Sequence, residues 1–168
     1  IICAIGFFLE EKLLKNDLIK KKKIININFT LPVLLLDQIT CILSNCSKKK
    51  TIIGISSVAG DRGRSVNFTY GSSKSGFSQY LSGLRQKYND THINIISVIP
   101  GFVKTKMSKK ILLKNKFYNF ISHTTDFVAK KIFYGYIKKK NIIYIGYWKY
   151  IMLFINLIPE CIFKKFKF

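Results

Sequence analysis

Short β-branched segments alternate with longer segments of helical periodicity along this chain of 168 residues. The strand candidates are short and apolar, and they lie at residues 1–5, 51–56, 92–99 and 141–145. The helix candidates repeat apolar residues every three or four positions, and they lie at residues 17–43, 70–88 and 126–138. A strand, a helix and a second strand in this order form a right-handed crossover between parallel strands. The alternation therefore predicts an α/β fold with a parallel sheet covered by helices.

Pro32 lies inside the longest helical segment. A proline in a helix removes one backbone hydrogen bond and clashes with the carbonyl four residues earlier. We therefore expect one long helix, beginning in or after the lysine-rich residues 20–23, with an irregular turn near residues 28–32. The chain as a whole divides into a partial α/β domain, residues 1–146, and an apolar and basic tail, residues 147–168.

Two loops follow the carboxyl ends of predicted strands, one after Ser56 and one after Ile99, and chemistry in such sheets gathers there. Tyr70 and Lys74 begin the helix after the first loop, and their spacing of four residues places both side chains on one face. A nearby ammonium and the positive end of a helix both favour the phenolate, so we expect a lowered pKa for Tyr70. The pair has the properties of a general acid and base.

The residues around this pair carry a resemblance to a known family. Ser57 lies in the segment Ser-Ser-Val-Ala-Gly that begins at Ser56, and it precedes Tyr70 by thirteen residues. With Tyr-Gly-Ser-Ser-Lys from Tyr70, this order resembles the active-site segment of the short-chain dehydrogenase/reductase family. The resemblance implies a Rossmann-like doubly wound parallel sheet and an NAD(P)-dependent oxidoreductase. It implies that Ser57 hydrogen-bonds a substrate carbonyl oxygen and that Tyr70 exchanges a proton with it. Lys74 would lower the pKa of Tyr70 and hold the nicotinamide ribose.

Three more segments match the family in order. One resembles the loop that contacts the nicotinamide, and it contains Pro100, Gly101, Val103 and Thr105. The resemblance implies that Val103 offers backbone groups and Thr105 its hydroxyl. Asn28 resembles the fourth active-site residue, which would hold a water molecule in a proton relay. Gly6 stands where the family ends a strand with Asn-Ala-Gly and contacts the cofactor, although Cys3 replaces the usual Asn.

The resemblance places residues 1–5 at the fourth strand of the family's sheet. The chain would then hold only the C-terminal portion of the fold, with the first three strands missing. No Gly-x-x-x-Gly-x-Gly phosphate loop occurs in the sequence, so the choice between NAD and NADP is unresolved. We expect these 168 residues alone to fold poorly and to bind cofactor weakly, because an incomplete sheet has an open edge and an uncovered core.

A narrower resemblance extends through the loop after Ser57. Gly-Asp-Arg-Gly-Arg from Gly60 resembles the subgroup that contains the reductases of decaprenylphosphoryl-2-keto-ribose. It implies a keto-sugar linked to a polyprenyl phosphate, whose phosphate would meet Arg62, Arg64 or Lys104. Alternatively, the arginines only stabilise a surface loop. Other substrates, such as a 3-oxoacyl thioester or a steroid-like alcohol, and an inactive truncated remnant also stay open.

The tail combines apolar and basic residues. Residues 147–158 are aromatic and aliphatic, Pro159 ends this run, and Lys164, Lys165 and Lys167 follow among further aromatic residues. The run is too short and too interrupted to span a bilayer. It would lie in a membrane interface, or it would pack as a core helix or as the contact helix of a homo-oligomer. The expected location is the cytoplasm, with peripheral attachment at the inner membrane face as one alternative.

The formal charge of +21 arises from 29 Lys and Arg residues against 8 Asp and Glu residues. Such a charge favours anionic partners, including nucleic acid, a membrane surface or a phosphorylated substrate. No recognition motif accompanies it, and an AT-rich genome produces the same excess of lysine, so we expect no nucleic-acid partner. The four cysteines form no Cys-x-x-Cys pair and lie far from both histidines, so we expect neither a metal site nor a disulfide framework.

Overall fold

A computed structural model describes residues 1–166 as an α/β structure built on one parallel sheet. Its strands follow the chain order β1-β2-β3-β4. They are β1 (Ile2–Cys3), β2 (Lys50–Ile55), β3 (Ile93–Ile99) and β4 (Ile142–Tyr144). All three strand pairs are parallel, which confirms the predicted fold class. The central strands β2 and β3 are rich in isoleucine because helices cover both of their faces.

Helices follow each strand and occupy both faces of the sheet. They are α1 (Leu18–Ile25), α2 (Leu31–Ser44), α3 (Phe68–Lys87), α4 (Lys109–Lys114), α5 (Lys116–Phe120), α6 (Thr125–Ile137), α7 (Trp148–Leu157) and α8 (Glu160–Phe163). Two short 3-10 turns lie at Glu11–Leu13 and Val58–Gly60. The predicted helices over 70–88 and 126–138 are confirmed as α3 and α6, with ends shifted by no more than two residues.

The predicted long helix is continuous but changes its winding. Helix α1 passes through a π-helical segment, Asn26–Thr30, into α2, and Pro32 stands in the first turn of α2. The expected irregularity is therefore confirmed, and the helix begins before the lysine-rich stretch. By length and composition alone, Leu18–Ser44 could cross a membrane. Ile24, Asn28 and Leu36 are buried and pack this helix against the rest of the domain, whereas Leu18, Ile19 and Ile42 are 66–83% exposed.

Two apolar layers cover the sheet. The first lies between the sheet and helices α2 and α3, where Ile52 and Ile95 meet Leu36, Phe77 and Leu81. Side chains that alternate along the same strands point to the opposite face. The second layer lies on that face and contains Ile53, Ile96, Val98, Val128, Ile143 and Ile145. The carboxyl ends of β2 and β3 emerge between these layers, and the candidate site lies there.

Strand β1 is shorter and less buried than the sequence suggested. Residues 1–5 are expected to form a buried strand, but only Ile2–Cys3 pair with β2. Cys3 is buried against the first apolar layer, whereas Ile1 and Ile2 are 54% and 62% exposed. Within residues 1–166, no strand pairs with the outer edge of β1, so one side of these isoleucines faces solvent.

Candidate active site

Two glycines bring the end of β2 onto α3. A Cβ atom at Gly60 would lie 2.7 Å from the backbone nitrogen of Ser75, and one at Gly71 would lie 2.6 Å from the Ala59 oxygen. Only glycine permits such an approach of the 3-10 turn to the helix. The space that a side chain at Gly71 would occupy holds the Ala59 carbonyl. The close packing places Ser57, the residue before the turn, beside Tyr70.

Serine side chains fix this junction. The Ser56 hydroxyl donates to the Lys74 carbonyl oxygen at 2.9 Å and lies 2.7 Å from the Ser78 hydroxyl. The Ser57 hydroxyl accepts a hydrogen bond from the Ala59 amide at 3.1 Å. Ser56 is thus a structural neighbour that anchors the strand end, while the hydroxyl of Ser57 faces the phenol of Tyr70.

Burial dominates the ionisation of Tyr70. Its ring packs edge-on against Phe8, with ring centroids 5.1 Å apart. Burial raises the pKa of the Tyr70 phenol above its ordinary value, and the hydrogen bond with Ser57 only partly offsets this effect. The predicted lowering of the Tyr70 pKa is therefore wrong in direction for this structure. The cost of burying a phenolate exceeds the stabilisation that the neighbouring groups provide.

Lys74 is buried and directs its ammonium toward backbone carbonyls. Its Nζ atom donates to the oxygens of Ile5 and Ile55, each at 3.1 Å, and the residue is 3% exposed. Burial lowers the pKa of Lys74 to about 8. An ammonium has three N–H donors, so one remains after these two bonds. A Cβ atom at Gly6 would lie at ordinary van der Waals distance, 3.6 Å, from both this Nζ and the Asn28 Oδ1, so glycine leaves a gap the size of one methyl group beside the third donor.

Asn28 connects the long helix to the loop after β1. Its Oδ1 accepts from the Phe7 amide at 2.8 Å, and its Nδ2 donates to the Phe7 oxygen at 2.7 Å. The side chain is fully buried and acts as a clamp on the loop. Because Pro32 has no N–H, the Asn28 carbonyl lacks a helical partner four residues along. The water-holding role predicted for Asn28 stays a prediction.

The loop after β3 is ordered by residues that the sequence analysis missed. The Pro100 oxygen accepts from the Val58 amide at 3.0 Å, which joins the two predicted loops. Val103 forms a parallel bridge with His123, and the Val103 carbonyl accepts from the Ser108 hydroxyl. The Thr105 hydroxyl lies 3.3 Å from the same Ser108 hydroxyl and is exposed.

Gly101 has a packing role in this loop. A Cβ atom there would overlap the indole of Trp148, the first residue of α7. Trp148 packs with Val58 and Ile99 in a third apolar cluster at the carboxyl ends of β2 and β3. Gly101 is therefore required for close packing against α7, and its predicted contact with the cofactor stays a prediction.

The two arginines of the loop after Ser57 differ in their contacts. Arg62 donates to the oxygens of Ile155 and Ile158 at 2.6 and 2.7 Å and pairs with Glu160 at 2.9 Å. Both terminal nitrogens are thus committed to the C-terminal helices, so the proposed substrate role of Arg62 is corrected to a structural one. Arg64 is different, because its Nε is buried without a hydrogen-bond partner among residues 1–166.

Two further groups bear on the site. Lys104 is exposed and lines a cleft of about 600 Å³ with Thr105 and Lys109. Glu11, which the sequence analysis missed, accepts hydrogen bonds from the amide and hydroxyl of Thr69 at 3.0 and 2.7 Å. A carboxylate at this position stabilises the positive end of α3 and neutralises part of the charge on which the expected Tyr70 shift depended.

Known proteins resemble part of the chain. An uncharacterized oxidoreductase of Mycobacterium tuberculosis is 27% identical over 108 residues, which are 64% of this chain and 43% of that protein. The NADP-dependent 3-hydroxy acid dehydrogenase of Schizosaccharomyces pombe is 30% identical over 101 residues, which are 56% of this chain and 39% of that protein. The chain thus spans less than half the length of these curated relatives.

The fold also resembles that of a solved structure. A short chain dehydrogenase from Burkholderia cenocepacia J2315, in complex with NADP, superposes with a TM-score of 0.75. The two are 14% identical, and the match covers 89% of this chain and 62% of that one, so the likeness concerns the fold. The sequence profile described as short chain dehydrogenase matches residues 9–116, which is well over half of the chain. This match includes the β2–α3 junction, and the chain therefore belongs to the short-chain dehydrogenase family.

Proposed function

We propose that the protein is an NAD(P)-dependent oxidoreductase that reduces a carbonyl group to an alcohol. The observation that carries the proposal is the junction of β2 and α3, where the hydroxyl of Ser57 lies beside the phenol of Tyr70 and the ammonium of Lys74 keeps one donor without a partner among residues 1–166. A proton donor, a second hydroxyl and a cation within one buried corner suit the reduction of a polar double bond.

The ionisation states fit the direction of reduction. Burial keeps Tyr70 protonated at neutral pH, so its hydroxyl can donate a proton to a carbonyl oxygen. Ser57 would hydrogen-bond the same oxygen and hold it against the phenol. A bound nicotinamide cofactor would supply the hydride. Lys74, protonated below a pKa of about 8, would donate its remaining N–H to a ribose hydroxyl in the space beside Gly6.

The cofactor is proposed as NAD or NADP without a choice between them. Relatives of both kinds exist, since the fission yeast relative is named NADP-dependent and one structural neighbour is a 4-hydroxyisoleucine dehydrogenase complexed with NADH. In this chain, Val103 and Thr105 would contact the nicotinamide from the loop that Ser108 and His123 hold. Asn28 would position this corner through Phe7 and hold a relay water at its carbonyl.

The finer proposal is a lipid-linked keto-sugar as the substrate, with the enzyme on the cytoplasmic face of a membrane. It is supported by the unpartnered Nε of Arg64 and by the exposed apolar side of α7. A 3-oxoacyl thioester is the alternative, because a neighbour with a TM-score of 0.59 is a 3-oxoacyl-[acyl-carrier protein] reductase from Brucella melitensis. The proposal also includes a homo-oligomer in which the C-terminal tail forms the contact between subunits.

A Tyr70→Phe variant of the intact protein tests the function. It removes the proton donor and keeps the ring against Phe8, so turnover of ketone substrates with NADPH or NADH should fall about 100-fold or more. Cofactor affinity should stay within about twofold of that of the unaltered protein, because Lys74 and the loop are unchanged. Tyr136→Phe is the matched control, since Tyr136 is exposed on α6. Full turnover in Tyr70→Phe would refute the mechanism.

A further inference from the structure

Arg64 presents an unsatisfied donor in the loop between β2 and α3. Its Nε is buried and has no hydrogen-bond partner among residues 1–166. The carboxylate of Asp61 attracts the Arg64 guanidinium, although no hydrogen bond joins the two among residues 1–166. Burial lowers the pKa of Arg64. Buried donors in native proteins are nearly always paired with a protein group, water or ligand. Because Arg62 is fully engaged with α7 and α8, the two neighbouring arginines have separate roles.

A cleft of about 280 Å³ opens beside Arg64. Lys164 and Phe68 also line it, and Lys164 forms no ion pair within residues 1–166. The one carboxylate in the lining is that of Glu160, which is already paired with Arg62 at 2.9 Å. Lys164 therefore faces the cleft without an acidic partner among residues 1–166, and Arg64 faces it with only the attraction of Asp61, which forms no hydrogen bond to it. Guanidinium groups bind phosphate oxygens well.

An apolar surface lies on α7, which Arg62 attaches to this loop. Tyr147, just before α7, and Tyr150, Phe154 and Leu157 within it are 67–79% exposed. These residues follow helical spacing and form what we call the outer face of α7. The opposite face is also apolar, and its Trp148 is buried against the domain. The hydrogen bonds from Arg62 to the end of α7 fix the outer face relative to the Arg64 cleft.

The charge of residues 147–166 indicates what binds to the outer face of α7. The segment 147–166 carries Lys149, Lys164 and Lys165, and its single acidic residue, Glu160, is neutralised by Arg62. Aromatic and aliphatic side chains next to lysines suit the interface of a membrane with anionic lipid. A nucleic acid would use the cations but would leave Phe154 and Leu157 in water.

We propose that the Arg64 cleft binds the phosphate of an anionic lipid while the outer face of α7 lies in the membrane interface. The inference deepens the proposed membrane location of the enzyme and rests on it. The shared chemistry is a phosphate ester, which a lipid headgroup or a water-soluble compound could provide. The lipid is the committed occupant, because a soluble phosphate would leave the outer face of α7 exposed.

Vesicle flotation of the intact protein tests the proposal. The protein should bind vesicles of phosphatidylcholine with about one third phosphatidylglycerol and bind phosphatidylcholine alone much more weakly. Lys164→Gln should weaken binding about fivefold, as expected for one cation near the surface, and Arg64→Gln should weaken it by at least as much. Lys130→Gln on helix α6 is the charge-matched control, because Lys130 is exposed and does not line the cleft, and it should change binding less than twofold.

Two further experiments distinguish the phosphate of a lipid headgroup from that of a water-soluble ester. The double variant Phe154→Ser/Leu157→Ser should reduce binding at least tenfold, because the apolar contact is lost. Inorganic phosphate should compete only weakly with the vesicles. Equal binding by Arg64→Gln and Lys130→Gln would overturn the site, and Lys164→Gln provides the same comparison if Arg64→Gln does not fold. Vesicle binding that needs no apolar residue and is abolished by inorganic phosphate would assign the cleft to a soluble ester and overturn the lipid.

The outcome is separable from that of the proposed function. If the protein reduces a water-soluble ketone but does not float with anionic vesicles, the proposed lipid site is refuted and the proposed function stands. If the protein floats with the vesicles but the Tyr70→Phe variant keeps full turnover, the proposed function is refuted and vesicle binding stands. Binding to an anionic oligonucleotide as tight as to vesicles would show a general polyanion surface and overturn the assignment to lipid.

Discussion

Asn28 is the side chain through which the long helix holds the loop beside the proposed catalytic residues Ser57, Tyr70 and Lys74. It is fully buried and bonds both backbone groups of Phe7, at 2.8 and 2.7 Å. The next residue, Phe8, packs edge-on against Tyr70 with the ring centroids 5.1 Å apart. Removing the Asn28 amide therefore releases the loop that places an aromatic wall beside the proposed proton donor. We predict a loss of both stability and turnover.

The magnitude follows from the groups left without partners. Asn28→Ala leaves one amide and one carbonyl of Phe7 unpaired, and each such group costs about 1–3 kcal/mol when buried. Phe7 itself is only half-buried, so water can reach part of the exposed backbone. We therefore expect a decrease in the free energy of unfolding of about 2–4 kcal/mol. Asn26→Ala is the matched control, because Asn26 makes only a 3.4 Å contact with Thr30, and it should cost less than about 1 kcal/mol.

An isosteric variant separates the hydrogen bonds from the cavity. Asn28→Asp keeps the acceptor for the Phe7 amide but places a second oxygen against the Phe7 carbonyl at neutral pH. Burial and this repulsion raise the pKa of the new carboxyl above its unfolded value. The deficit in stability should therefore be present at pH 7 and shrink as the pH falls through that raised pKa, because the protonated carboxyl donates again.

Urea unfolding of the intact protein at pH 7 and pH 5 measures these differences, and steady-state turnover measures the effect on the site. The reasoning is refuted if Asn28→Ala unfolds within about 0.5 kcal/mol of the unaltered protein, which is the range of neutral surface changes. If the loss of unfolding free energy in Asn28→Asp does not vary with pH, the hydrogen bond that Asn28 donates to the Phe7 carbonyl is not what stabilises the loop.

Two further predictions concern Lys74 and Gly101. Under the proposed function, Lys74 must be protonated to donate to the ribose, so cofactor affinity should be full below its pKa of about 8 and decline above it; a dissociation constant that stays constant from about pH 7 to pH 9 would contradict this. Gly101→Ala should destabilise the protein by about 1–3 kcal/mol, because the new methyl overlaps the Trp148 indole. Gly83→Ala is its control in thermal unfolding and should stabilise helix α3 by up to about 1 kcal/mol, since nothing lies within 4 Å of its added Cβ.

The sheet and the main helices were predictable because their signals are local. The isoleucine-rich runs of β2 and β3 and the apolar spacing of α3 lie within single elements, and the structure shifts their ends by no more than two residues. The neighbourhood of Ser57, Tyr70 and Lys74 follows from the same local rules. A strand end and the first turn of the following helix meet at one edge of the sheet, and residues four apart share a helix face.

The rest of the site depends on contacts between distant parts of the chain. Arg62 bonds a carbonyl 93 residues away, and Glu11 caps a helix through Thr69, 58 residues away. Neither contact has a periodic signature, since a single arginine or glutamate in a loop is compatible with many surfaces. The packing partners of Gly71 and Gly101 could not be predicted for the same reason. A glycine signals a close approach, but the sequence does not say what approaches.

The pKa values of Tyr70 and Lys74 show why a neighbouring charge alone does not predict the ionisation of a group. The sequence places a cation four residues from Tyr70, and a simple pairing would lower the pKa of the phenol. In the structure the same burial acts on both groups, and it favours the neutral form of each by raising the pKa of Tyr70 and lowering that of Lys74 to about 8. A neutral phenol donates a proton but does not accept one, so the corner as built suits reduction. Oxidation of an alcohol would require the phenolate, and its rate should therefore increase as the pH rises above neutrality, whereas the phenol leaves the rate of reduction unchanged until the pH approaches the raised pKa of Tyr70.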